Sequence, residues 1–549
     1  MTVPPFLRSP PFPSTAPATA AVSAPLPVGR SGKAVSDAVL DSIAASRVGG
    51  DFWGHAVEGV KLVAQAGVPI PPERLDGLEA GQLAVIGGAP PAELASYACK
   101  LPTPCDPWVL VEQAEAVHAH AEDDIAIVAG LLGVPVFGAD ARPIDRQHLK
   151  LAARDRISAA SYRNCFTGEE ADVEQVVRQL AEWREILRAN RSICAASGMA
   201  WWKRDVMRVF LWDGLQSPPF LTAEEGLRRA RGEKGALAVW PSRVPASTGD
   251  AATKQGTPLI RIEDGFLRSR GLGAALHPPG SVVVDQTGIY YDAHVGSDLE
   301  TILATHDFPD DLVARAERLR TRICAAGITK YGADEGRNVA LPEGKRTVLA
   351  VGQVDDDLSV HLGGAGVAGN LDFLKRVRQA EPDAWIVYRP HPDVQAGHRA
   401  GHLSDATTLE HADSIDSGSP LLQLVQSVDE VHVLSSLTGF EALMRGRPVT
   451  VHGMPFYAGW GLTRDLAAPN GRRGRRLGID QLVAGALILY PRYVDPVTRL
   501  PCGPEIMVNR LADGSTPSVS WLIRLRVLQG KLRRLMTLSA EFLHGRRPA

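Results

Sequence analysis

Cysteine is scarce in this chain. Six residues, Cys99, Cys105, Cys165, Cys194, Cys324 and Cys502, are scattered over 549 positions, and no two form a C-x-x-C pair. That excludes a disulfide framework and a thiolate zinc site, and it points to a reducing compartment. Net charge is nearly absent at −3, with 59 basic and 62 acidic residues, so no global field attracts nucleic acid. No segment reaches the ~20 continuous apolar residues of a membrane span. The opening MTVPPFLRSPPFPSTAPATAAVSAPLPVGR lacks the unbroken apolar core of a secretory signal. Also missing are a Walker lysine loop, a GxGxxG after a strand, an HExxH and a GxSxG in the right context. Kinase, dehydrogenase, zinc protease and serine hydrolase chemistries lose their usual signatures with them.

What is present is a long, ordinary soluble composition, 45% hydrophobic and 22% charged. The length asks for about three or four domains. Residues 1–33 read as a disordered Pro/Ala-rich lead-in. Residues 34–195 combine short apolar runs such as LAVIGG and IAIVAGLLGVPVFG with a charged amphipathic helix from Gln175 to Arg191. Two βα regions follow, 196–343 and 344–512, which predict two Rossmann-like lobes. The chain also carries a worn repeat, in which Asp106 to Gly138 parallels Ser419 to Gly453. Further on, Tyr162, Thr167, Glu174 and Leu180 fall on Tyr493, Thr498, Glu505 and Leu511 at one constant offset. The first copy lacks the Ser-Ser, Arg-Pro-His-Pro and Glu-Asp-Gly of the later region, so it reads as a half-module without its chemistry.

Four polar clusters stand at strand ends or helix starts. In RIEDGFLRSRGLG, Glu263 and Asp264 follow a short apolar strand, on the edge where open α/β sheets bind ligands. A solvated turn is the ordinary alternative. Asp355-Asp356-Asp357 follow VLAVGQV, and three adjacent carboxylates repel one another unless a loop in water or a catalytic need accommodates them. In Tyr388-Arg389-Pro390-His391-Pro392 the prolines stiffen a cationic turn, which suits an anion pocket or a capping turn equally. Ser435-Ser436-Leu437-Thr438-Gly439 leads into a helix, as a phosphate site or a plain N-cap would. Together the four describe a site for a phosphate-bearing sugar donor better than any one does alone.

The runs EDGFLRS, VVVDQTGIYYDA, GQVDDDLSV, RPHPDV, SSLTGFEALMRGRPV and HGMPFYAGWGLT, in that order between about Ala200 and Leu511, resemble the bacterial capsule β-Kdo transferases of the KpsC/KpsS type. The resemblance implies an α/β protein of GT-B type, two Rossmann-like lobes with an interlobe cleft, preceded here by a degenerate partial repeat of the module. It implies CMP-Kdo as co-substrate, no further cofactor and no metal. It also implies a retaining transfer to a (lyso)phosphatidylglycerol- or Kdo-terminated lipid at the base of a capsular polysaccharide. Carried over residue by residue, Asp357 is the nucleophile, Glu263 and Asp264 serve as acid/base or position the sugar, and His391 meets the leaving phosphate. Arg389, Ser435, Ser436, Thr438, Gly439, Glu441, Gln353 and Arg268 are expected to bind the donor. The expected location is the cytoplasm, peripheral on the inner membrane, with other capsule assembly and export proteins as further partners. The basic tail 513–549, with Trp521, Leu525, Leu528 and Leu532 at helical spacing among arginines, suits either an anionic membrane surface or a helix packed on the protein. Rival readings are another GT-B enzyme using a CMP- or UDP-sugar, and a non-catalytic assembly scaffold.

Overall fold

The computed structural model describes residues 4–27, 32–268, 278–329, 341–395, 397, 399–416, 418–468 and 470–514. The expected basic tail lies, from residue 515 onward, outside the described residues. The chain divides into two compact units: Met1–Ser192 with Leu211–Pro218 and Thr498–Leu500, and Ile193–Phe210 with Pro219–Val497 and Pro501–Ala549. No helix of the described residues is long and apolar enough to cross a membrane.

In the first unit, β1 (Ser23–Pro25) pairs with β6 (Ala160–Tyr162). A separate parallel sheet runs in the order β3-β2-β4-β5, with β2 Leu62–Gln65, β3 Leu83–Ile86, β4 Ala116–His118 and β5 Val136–Phe137. The lead-in is not disordered over its described part. Phe6 and Leu7 are fully buried. Phe12 packs 4.8 Å from Trp183 and 5.1 Å from Trp212. Arg8 bonds Asp51 at 2.8 Å and Asp124 at 2.7 Å. The prolines that made the segment look unstructured restrict its unfolded chain, so ordering it costs little entropy, and the interspersed aromatics supply the burial.

The second unit holds two lobes. In the first lobe, β7 (Ile193–Ser197), β8 (Ala236–Val239) and β9 (Leu259–Asp264) are parallel, and β10 (Ser281–Asp285) runs back against β9. The second lobe is an all-parallel sheet of β11 (Thr347–Val351), β12 (Trp385–Arg389), β13 (Ser414–Ile415), β14 (Glu430–Val433), β15 (Val449–Val451) and β16 (Arg464–Asp465). Its order, β13-β12-β11-β14-β15-β16, is the 3-2-1-4-5-6 arrangement of dinucleotide-binding sheets. Every residue of β11 and of β14 is buried, as expected for central strands covered on both faces.

The chain then returns to the first lobe. β17 (Pro491–Val494) pairs antiparallel with β10, and β18 (Pro501–Cys502) with β17, giving a first-lobe sheet in the order β18-β17-β10-β9-β8-β7. The strands at 491–494 and 501–502 therefore belong to the first lobe, not to a second lobe running from 344 to 512. The strand pattern of PRYV reads the same whichever sheet receives it. Two Rossmann-like lobes with a chain that crosses back make a GT-B architecture.

The first unit repeats the middle of the second lobe. β3-β2-β4-β5 takes the places of β12-β11-β14-β15, strand for strand and all parallel. The paired tyrosines act alike, with Tyr162 donating to the Ile157 carbonyl at 2.8 Å and Tyr493 to that of Leu487 at 2.7 Å. At the helix after the third strand the copies differ. Ser436 caps helix Leu437–Met444, whereas Asp123, between Glu122 and Asp124, precedes helix Asp124–Leu132 without a side-chain cap bond. Asp124 is held by Arg8 and Arg156, and Glu122 and Asp123 repel the anion that hydroxyls would accept.

Candidate active site

The sheet order reverses between β11 and β14, and ligands of open α/β sheets bind at the carboxyl ends of strands at such a point. Here the structure brings Gln353 and Ser435 together. The Gln353 side-chain carbonyl accepts the Ser435 N–H at 2.7 Å, and its amide donates to the Ser435 hydroxyl at 3.1 Å. That hydroxyl donates in turn to the Ser359 carbonyl at 3.0 Å. Gln353 thus pins the loops after the two strands to each other. The Ser436 hydroxyl caps its helix through the Thr438 N–H at 3.3 Å, and the Tyr457 hydroxyl holds the Ser436 carbonyl. Gly439 is required by packing, because a Cβ there would run into the Tyr457 hydroxyl. Glu441 lies one turn on, buried, in an apolar crevice lined by Phe266, Leu267, Leu437 and Phe440. These positions set it behind the helix start rather than at its opening.

The three adjacent aspartates coexist because each has its own partner. Asp355 accepts the Asn370 N–H at 3.1 Å, and burial pushes its carboxyl above the usual range. Asp356 pairs with Arg399 at 3.1 Å on the surface. Asp357 caps helix Leu358–Gly363 through the Ser359 N–H at 2.9 Å. At the end of β12, Arg389 is bound to Asp416 and to the Ser419 carbonyl, the latter at 2.7 Å, so its guanidinium braces the turn from within. His391 Nδ1 accepts the Asp393 N–H at 3.1 Å. A ring nitrogen that accepts an amide carries no proton, so neutral His391 has its N–H at Nε2.

In the first lobe the structure divides the Glu-Asp pair. Asp264 takes Lys203 Nζ at 2.9 Å and Arg268 Nε at 2.7 Å. The two cations are 8% and 1% exposed, so Asp264 is the anion of a buried triad and Arg268 serves it. Burial pulls Lys203 below its usual value against the opposing pull of Asp264, and its ammonium lies 3.4 Å from the Trp240 ring. Lys203 is a residue that sequence reasoning missed, since nothing in WWKRD signals a partner 61 positions away.

The segment Gly288–Ala293 joins the lobes. Its turn is tied down by Asp285, which accepts the N–H groups of Thr287 at 3.0 Å and Gly288 at 2.7 Å. The Ala293 N–H donates to the Leu362 carbonyl at 3.3 Å. A Cβ on Gly363 would sit 3.2 Å from the Tyr291 carbonyl and 3.5 Å from the Ser435 Cβ, so the Tyr291 backbone reaches the switch point itself. Phe266 of EDGF stacks on Phe456 of FYAGWG at 4.6 Å, with Tyr290 edge-on to Phe266 at 4.8 Å, so motifs far apart in sequence meet. Burial pushes the Tyr290 and Tyr291 hydroxyls up, and the charges of Glu263 and Asp357 add to it. Acids from both lobes therefore act on one tyrosine pair.

Among the described residues one group, Glu381, Glu430 and His432, has ligand atoms close enough to share a cation. Arg346 and Arg464 already neutralise the two carboxylates. Burial holds His432 down to about 3 and its partner His452 to about 4. Glu430 opens β14, at the edge of the sheet opposite the candidate site. The group is internal pairing.

The sequence profile of the family described as "Capsule polysaccharide biosynthesis protein" matches residues 235–493. The chain is 38% identical over 358 residues to the capsule polysaccharide modification protein LipA of Neisseria meningitidis, across 65% of this chain and 51% of that protein. It is 45% identical over 249 residues to the lipopolysaccharide-processing protein LpsZ of Rhizobium meliloti, across 44% of this chain and 56% of that one. The chain thus spans about half the length of the curated relatives it matches. Among solved structures, KpsC of Thermosulfurimonas dismutans, named as a beta Kdo 2,7 transferase, is 32% identical over 59% of this chain and 99% of that one, with a TM-score of 0.49. Over residues 235–493 the chain matches the capsule polysaccharide biosynthesis protein family.

Proposed function

We propose that this protein is a retaining β-Kdo transferase that takes Kdo from CMP-Kdo and adds it to a lipid-linked acceptor, building the linker of a capsular polysaccharide. The observation that carries the reading is a hydroxyl-lined helix start at the sheet's switch point, reached by the Tyr291 backbone beside Gly363, with the charges of Glu263 and Asp357 both acting on the buried Tyr290 and Tyr291. Beta Kdo transfer, the activity for which the KpsC relatives are named, supports the choice of sugar.

In this reading the Asp357 carboxylate attacks the anomeric carbon. The bond from that carbon to the CMP phosphate breaks, and its electron pair leaves with CMP. The His391 Nε2–H and the hydroxyls of Ser436 and Thr438 meet the phosphate oxygens as charge develops on them. The acceptor hydroxyl then attacks the same carbon and passes its proton to Glu263, and Asp357 departs with its electrons. Two inversions give retention. Asp264, tied to Lys203 and Arg268, fixes the strand end that presents Glu263.

Labelled CMP-Kdo with a β-Kdo-terminated acceptor tests the reading, with CMP-sialic acid and a UDP-sugar in parallel. Product from CMP-Kdo alone supports it. Product only from another donor gives the rival GT-B enzyme, and acceptor binding without turnover gives the scaffold. Because the leaving group has one phosphate, EDTA leaves transfer unchanged. A requirement for Mg²⁺ or Mn²⁺ contradicts the metal-free reading and returns the three aspartates to consideration as ligands.

The sequence of the tail carries the proposed membrane association. Each basic residue near an anionic surface contributes about 1 kcal/mol. The full chain is expected to bind anionic vesicles at low salt and to leave them at high salt. Truncation after Ser520 abolishes binding and spares transfer to a water-soluble acceptor. A full chain that ignores such vesicles at low salt contradicts this.

A further inference from the structure

Tyr291 is 8% exposed, and its hydroxyl is buried with no hydrogen-bond partner. A buried hydroxyl without a partner is costly, and the backbone carbonyl of the same residue lies beside Gly363 at the switch point. Glu263 and Asp357 both bear on it. Burial, and after it the charges of Glu263, Asp357 and Asp292, disfavour the phenolate, so the group is a neutral donor and not a nucleophile. Among the described cations, Lys203 and Arg268 are engaged by Asp264 and Arg389 by Asp416, while Arg261, which also bears on Tyr291, donates to the Thr287 carbonyl at 3.5 Å.

On the reading above, the donor sugar brings its own carboxylate, attached to the anomeric carbon that Asp357 attacks. That anion must enter a region already holding two acids, and it needs a donor that is not spoken for. We propose that the Tyr291 hydroxyl donates a hydrogen bond to the carboxylate of the donor sugar, which makes Tyr291 a donor-recognition residue. The inference rests on the CMP-Kdo reading and adds to it the group that recognises the acid function of the sugar.

Tyr291→Phe removes the hydroxyl and no hydrogen bond of the free protein. A hydrogen bond to a charged group sets the expected loss in kcat/KM for CMP-Kdo at roughly ten- to hundredfold, in donor hydrolysis and in transfer alike. The melting temperature should hold or rise, and CMP, which lacks the sugar, should bind both proteins equally. Unchanged kcat/KM overturns the inference. So does a loss matched by a fall in melting temperature, which marks a structural role, and so does lost transfer with intact hydrolysis, which places Tyr291 on the acceptor. A wild-type protein that does not turn over CMP-Kdo sinks the functional reading itself, and this inference with it.

Discussion

In the Asp357→Asn protein, Kdo transfer should fall by at least about a thousandfold, on the scale of losses seen when a covalent nucleophile is removed. Asparagine is the informative replacement because Asp357 also caps helix Leu358–Gly363 through the Ser359 N–H at 2.9 Å. Asn caps about as well as Asp, whereas Ala costs about 1 kcal/mol at such a position and confounds activity with folding. The expected pair of results is a lost rate with an unchanged melting temperature. Comparable turnover in Asp357→Asn would mean that another group attacks the sugar. Asp355 is a weaker candidate because burial favours its neutral acid, and Asp356 because it is paired with Arg399 on the surface.

The second large effect is on stability. Asp264→Asn takes from Lys203 and Arg268, 8% and 1% exposed, the carboxylate that both are bound to. Removing one partner from a buried ion group costs about 3–5 kcal/mol. A protein of this size unfolds in more than one step, so the loss is best read as a lowered first melting transition in calorimetry. Lys203→Met placed on top of Asp264→Asn should recover part of it, because one uncompensated cation goes. An Asp264→Asn protein that melts normally but has lost transfer would instead give Asp264 the acid/base role that the sequence alone allows.

Much of this site was legible in the sequence because strand ends announce themselves. The runs that became β11 (TVLAV) and β14 (EVHV) are short and valine-rich and are followed within a few residues by Asp355 to Asp357 and by Ser435-Ser436, so the placement of those residues at carboxyl edges needed no long-range information. The strand-for-strand repeat in the first unit was also readable, since Tyr162 and Tyr493 keep one offset with their neighbours. What could not be read depends on pairing at a distance. PRYV carries the same pattern whether it joins the second lobe or, as it does, β10. The Glu-Asp pair gives no sign that one member is consumed by Lys203 and Arg268 while the other shares a tyrosine pair with Asp357. Arg389 reads as an anion binder until Asp416 and the Ser419 carbonyl are seen around it. The lead-in misled through composition, because its prolines hide the burial of Phe6 and Leu7.

The central claim is that a carboxylate of the second lobe forms a covalent bond to the sugar before the acceptor does, and the anomeric configuration of the product tests it most directly. NMR of the Kdo linkage made from CMP-β-Kdo on a defined acceptor should show a β linkage in the wild-type product. An α linkage would mean a single displacement by the acceptor, with Asp357 no nucleophile, and would contradict the account.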